Sequence, residues 1–150
     1  HHFPTHAALL SATIEELVRR NDEAVRLAES EMASVENQIE RAIRTLMSMS
    51  LKPAFMAELE LWAASRTDAE LQVAIRSAER AARGERERVI AGLFSPVQDN
   101  PNLPAVTELS IEFLRGLALS SVLVENPEHH EKLISKWVWA VETLLRAKPH

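Results

Sequence analysis

Residues 55–71, FMAELELWAASRTDAEL, read as the end of one amphipathic helix and the start of another. Phe55, Leu59 and Trp62 fall at i, i+4 and i+7 and form one apolar stripe, with Met56 and Ala63 beside it. Thr67-Asp-Ala-Glu70 then carries a capping-box pattern. In that pattern the Thr hydroxyl accepts from the Glu amide while the Glu side chain reaches back, so a helix is predicted to start at Asp68. A helix–turn–helix junction, with no alternating β-type pattern near it, sets the expectation for the whole chain.

The same punctuation continues in both directions. Toward the N-terminus, Pro4-Thr5 opens a helix with Thr5 as its cap, and no Pro or Gly follows until Pro53. Within that span Ile14, Val18, Asn21, Val25, Ala28, Met32, Val35, Ile39, Ala42 and Leu46 repeat at 4-3-4-3 spacing, a heptad seam with weak knobs at Asn21, Ala28 and Ala42. A single helix over 5–50 would be unusually long, so a break is expected between Glu29 and Ser34, with Ser30 or Ser34 capping the second helix. Pro53 suits the first position of a short helix reaching Arg66.

Toward the C-terminus, Leu71, Ile75, Ala78, Ala82, Val89 and Leu93 share a helix face, and the charged stretch Glu79–Arg88 is expected in water with a bend at Gly84. Ser95–Pro104, with three Pro, is the clear loop. Asn126-Pro-Glu128 supplies a cap, a first-turn Pro and an acid for a last helix. The expected fold is all-α, a bundle of about six helices.

The last two helices carry more apolar surface than one core needs. Val106–Val124 is apolar around most of its circumference. The final helix has two stripes, Leu133/Trp137/Val141/Leu144 and Ile134/Val138/Leu145. A homodimer built on a four-helix contact covers such surface, with Leu114, Val122, Ile134, Trp137, Val138, Val141 and Leu145 as its expected interface.

The 150 residues, 46% hydrophobic and 26% charged, suit one soluble domain. No apolar run reaches the ~18 residues of a membrane span, and no signal peptide opens the chain, so no membrane partner is expected. Cys is absent, which excludes disulfides, thiolate metal sites and Cys nucleophiles and fits a cytoplasmic protein. A net charge of -5 argues against DNA binding by this segment itself.

Two stretches resemble TetR-family transcriptional regulators. Residues 55–71 are similar to the "LELWAAARTDPEL"-like text of the family's effector domain. His2-Phe-Pro-Thr-His-Ala-Ala-Leu-Leu10 is similar to the end of its DNA-recognition helix and the start of the linking helix, although His6-Ala7 stands where the pattern has Lys-Glu. An affinity-tag remnant is the other reading of His1-His2.

The resemblance implies that residues 1–4 are the last of a helix-turn-helix domain lying almost wholly upstream. Residues 5–150 are then an effector-binding and dimerisation domain. It also implies a pocket walled by the helices at 32–50, 53–66 and 68–95 and closed by that at 104–124. Ile43, Met47, Phe55, Leu59, Trp62, Phe113 and Leu117 would line it for a small apolar or aromatic ligand, with Glu58 and Arg115 as polar anchors. Ligand binding would release operator DNA from the homodimer. The alternative from the heptad seam is a helical scaffold or coiled-coil module without a ligand.

No catalytic centre or cofactor site is expected. Nucleophile-elbow, P-loop and dinucleotide motifs are missing, and three Gly leave no phosphate-cradling loop. His129-His130 point about 100° apart on a helix and so make a poor pair of metal ligands. His2 and His6 have the better spacing but stand at a chain end. No metal is expected.

Overall fold

The computed structural model describes residues 6–150, the Ala7 side chain aside, as six α-helices: α1 (His6–Glu31), α2 (Gln38–Met47), α3 (Pro53–Ala64), α4 (Ala69–Leu93), α5 (Leu103–Ser121) and α6 (Pro127–Arg146). Short 3-10 turns, Ser48–Leu51, Ser65–Thr67 and Ser95–Val97, link them, and the described residues contain no strand. The fold is an all-α bundle. The expected Thr5 cap and residues 1–4 lie outside the described residues.

Local chemistry accounts for most of the helix boundaries. The seam from Ile14 to Leu46 is split between α1 and α2, separated by residues 32–37. The second helix is capped by Asn37, whose side chain accepts from Glu40 N at 3.0 Å, and not by Ser30 or Ser34. Pro53 takes the first turn of α3, and Asn126 caps α6 by accepting from the amides of Glu128 and His129. At the α3–α4 junction the cap is Asp68, which accepts from Leu71 N at 3.0 Å. Thr67 is not that cap because it is absorbed into the preceding 3-10 turn, leaving Asp68 as the first extended residue. Gly84 sits inside an unbroken α4 and introduces no break.

Burial divides the core into two clusters. The larger gathers Ile43, Leu46, Met47, Phe94, Val106, Leu114, Leu117 and Val141 from α2, α5, α6 and the end of α4. The smaller joins Ile14 and Val18 of α1 to Leu71, Ala74, Ile75 and Ala78 of α4. The seam positions Ile14, Val18 and Ala28 are therefore consumed by packing inside the chain. Each large aliphatic side chain so buried contributes about 1.5–3 kcal/mol.

Helices α5 and α6 turn most of their apolar residues inward. Leu114, Ile134, Val138 and Val141 are buried within the chain. Trp137 and Leu145 are half-buried against the larger cluster, and of the seven expected interface residues only Val122 is exposed. Trp137 stacks on Phe113 with ring centroids 4.8 Å apart and donates its indole N–H to Ser110 Oγ at 3.0 Å. The exposed apolar side chains here are instead Leu109, Leu119, Val122, Leu123, Val124 and Trp139. No helix among the described residues is long and apolar enough to cross a membrane.

Candidate ligand pocket

A partly enclosed pocket opens where the two clusters meet. Helix α1 contributes Asn21, Asp22 and Val25, and the α2 end with its 3-10 turn contributes Leu46 and Met49. The stripe Phe55, Leu59 and Trp62 of α3 forms one wall, with Glu58 on the same helix. Arg86, Val89 and Ile90 of α4 and Ile111, Leu114 and Arg115 of α5 complete it. Its free space is about 70 Å³ as it stands. Ligand pockets for drug-sized molecules measure about 300–1,000 Å³, so a ligand of that size requires opening. Arg86, Ile90, Ile111 and Arg115 also border an open groove between α4 and α5, which gives the pocket a mouth.

A polar network crosses this apolar space. Glu58 is buried, accepts from Asn21 Nδ2 at 2.6 Å and is hydrogen-bonded to the Glu79 carboxyl. Arg86 holds Glu79 with two bonds, at 2.8 and 3.2 Å. Burial, and then the neighbouring Glu79, pushes the Glu58 carboxyl up to about 7. Burial alone would raise Glu79 as well, but the hydrogen bonds from Glu58 and Arg86 hold it below its ordinary value. The shared proton therefore rests on Glu58. Burial also raises the Asp22 carboxyl, against the opposing charge of Arg86. Arg115 lies over the Trp62 ring at 4.5 Å from its centroid and pairs with Glu112.

Two buried polar atoms have no hydrogen-bond partner among the described residues: Asn21 Oδ1 and Trp62 Nε1. Both residues line this pocket. Leaving such a group unmade costs about 1–3 kcal/mol.

The sequence-expected residues divide between the pocket and the core behind it. Phe55, Leu59 and Trp62 line the pocket, as do the expected anchors Glu58 and Arg115. Ile43, Met47 and Leu117 are buried in the larger cluster, and Phe113 is spent on its stack with Trp137. Neighbouring positions on the same elements, Leu46, Met49, Ile111 and Leu114, face the space instead. One residue is a 100° rotation on a helix, and apolar helices such as α5 do not reveal their register by pattern.

Asn21, Asp22 and the Glu79–Arg86 pair were missed as site residues. Two signals for them exist in the chain. Asn21 is a polar residue on an otherwise apolar seam, and Glu79 and Arg86 stand seven apart, two turns along one face of α4. The charged middle of α4 is thus partly buried at these two positions, where the sequence reading had it in water. Away from the pocket, His130 Nε2 lies 2.9 Å from Ser50 Oγ. No family model, curated protein or solved structure matches this chain.

Proposed function

We propose that the chain is the ligand-binding and dimerisation body of a TetR-type transcriptional regulator, acting as a repressor, whose ligand releases operator DNA. One observation carries ligand binding: a pocket walled by Phe55, Leu59 and Trp62 holds an unpartnered acceptor, Asn21 Oδ1, and an unpartnered donor, Trp62 Nε1. A bound molecule that satisfies both relieves their cost. The family reading itself rests on the resemblance of residues 2–10 and 55–71, and the stripe in the second of these is the pocket wall.

Helix α1 suits the part of a lever. Its first half is tied to α4 through Ile14 and Val18, and its later turns, at Ala24 and Val25, pack on the larger cluster. A ligand wedged at the seam between the clusters favours one tilt of α1 over another and shifts the population accordingly. From Asn21 to His6 the helix is about 22 Å long, so a 10° tilt carries its start by about 4 Å. Two DNA-binding heads must stand ~34–36 Å apart to meet successive major grooves, and a shift of that size spoils the spacing.

A second copy of the chain covers the outer faces of α5 and α6. Six of the ten exposed large apolar side chains lie on these two helices or between them. The alternative of a scaffold pairing along the Ile14–Leu46 seam draws no support, because Ile14, Val18 and Ala28 are already packed within the chain. The deciding experiment is the sequence encoded ahead of His1. A basic segment of about 45 residues with helix-turn-helix patterning is expected, and its absence overturns the regulator.

A further inference from the structure

Resting on the ligand-binding reading above, we infer that the pocket takes a small lipophilic ammonium ion, its N–H groups on the Asp22 carboxylate, the Glu58 carboxyl and the Asn21 amide oxygen. The charges around the pocket leave this one opening. Arg86 is answered by Glu79, Arg115 by Glu112 and Arg26 by Glu85. Asp22 and Glu58 form no ion pair among the described residues, and burial raises both carboxyls against the charge of Arg86, so a cation bound beside them favours their ionised form. Asn21 is 8% exposed; its N–H group is committed to Glu58, which leaves its oxygen as a free acceptor.

Anions fit poorly. The buried donor without a partner among the described residues is the neutral Trp62 N–H, and the Arg86 and Arg115 guanidiniums are paired with Glu79 and Glu112. A carboxylate or phosphate head beside Asn21 Oδ1 would meet the Asp22 and Glu58 carboxyls. A cation, by contrast, already occupies the face of Trp62 in the form of the Arg115 guanidinium. That indole face suits positive charge. Arg115 borders both the pocket and the open groove, so its side chain can withdraw toward the groove as the ligand enters. The ligand's apolar body then lies on Phe55, Leu59 and Leu114, and Trp62 Nε1 remains to serve an acceptor on larger ligands.

The test uses the whole chain and three probes with one phenyl-ethyl body: 2-phenylethylamine, 2-phenylethanol and 3-phenylpropanoate, followed by calorimetry and thermal shift. The amine should bind at least about tenfold more tightly than the alcohol, the size of one charge-assisted hydrogen bond, and the carboxylate should not bind. Asp22→Asn and Glu58→Gln, each checked for an unchanged helical spectrum, should narrow the amine's advantage over the alcohol. If the alcohol or the carboxylate binds as well as the amine, the ammonium inference falls while the pocket stands. If the amine keeps its advantage in both variants, its head group lies elsewhere and the inference again falls. If no probe binds at millimolar concentration or moves the melting temperature, the inference and the ligand pocket fall together.

Discussion

Asn21 and Glu58, 37 residues apart in sequence, meet in the middle of the bundle, where the Asn21 amide donates to the Glu58 carboxyl at 2.6 Å. The bond ties α1 to α3 at the place where two apolar clusters leave a gap. A carboxyl buried there is a structural liability at high pH and a reason for the pocket to accept a positively charged guest.

Glu58 makes stability fall as pH rises. Its folded-state value of about 7 stands above the ordinary 4.5. The stability it contributes is therefore fully present below 4.5 and lost as pH climbs through about 7. Glu58→Gln can still accept from Asn21 and donate to Glu79 without ever ionising. Thermal melts should show the variant level with the parent near pH 4 and several degrees more stable at pH 8. A variant less stable than the parent at pH 8 would sink this account of the pair.

His130 works in the opposite sense. Burial lowers its imidazole below the ordinary 6.5, with Glu131 opposing. The stability it contributes is present above 6.5 and lost as pH falls through the lower folded value. An NMR titration of the ring protons should place its midpoint below 6.5; a midpoint at or above that value contradicts the packing of His130 against Ser50.

Asn102 closes the far end of α6. Its side-chain amide donates to the carbonyls of Leu144 and Ala147 at 2.9 and 3.0 Å, and its oxygen accepts from His150 N at 3.2 Å. Asn102→Ala should cost about 2–3 kcal/mol by urea denaturation, the sum of these bonds and the orphaned carbonyls. Asn102→Asp should be no better, since a carboxylate cannot donate. A loss under 0.5 kcal/mol, the low end for one hydrogen bond, would show that water replaces the latch.

The proposed dimer predicts a pattern across three substitutions. Leu119→Glu and Trp139→Glu place charge on exposed positions of α5 and α6 and should split the dimer in sedimentation equilibrium without changing the helical spectrum. Val35→Glu, on the link between α1 and α2, should leave it whole. The reverse pattern would move the interface to the N-terminal seam.

Helix number and most boundaries were legible in the chain because they depend on neighbours within one turn. Pro53 at a first turn, Asn126 before Pro127 and the i, i+4, i+7 stripe of Phe55, Leu59 and Trp62 all act locally. The wrong cap at the α3–α4 junction had a local cause too. Thr67 and Asp68 are both good caps, and the choice fell to whichever residue stayed outside the 3-10 turn.

The sequence by itself determined an all-α chain and one wall of its pocket, because apolar periodicity and capping are properties of single helices. Tertiary structure decided what stands opposite that wall. Asn21, Glu58, Glu79 and Arg86 become one network only when α1, α3 and α4 pack together, and their burial, which sets the charge of Glu58, exists in no segment alone. It also decided which faces of α5 and α6 turn inward. Both helices offer apolar residues on more than one side, and only the shape of the neighbouring helices selects between them.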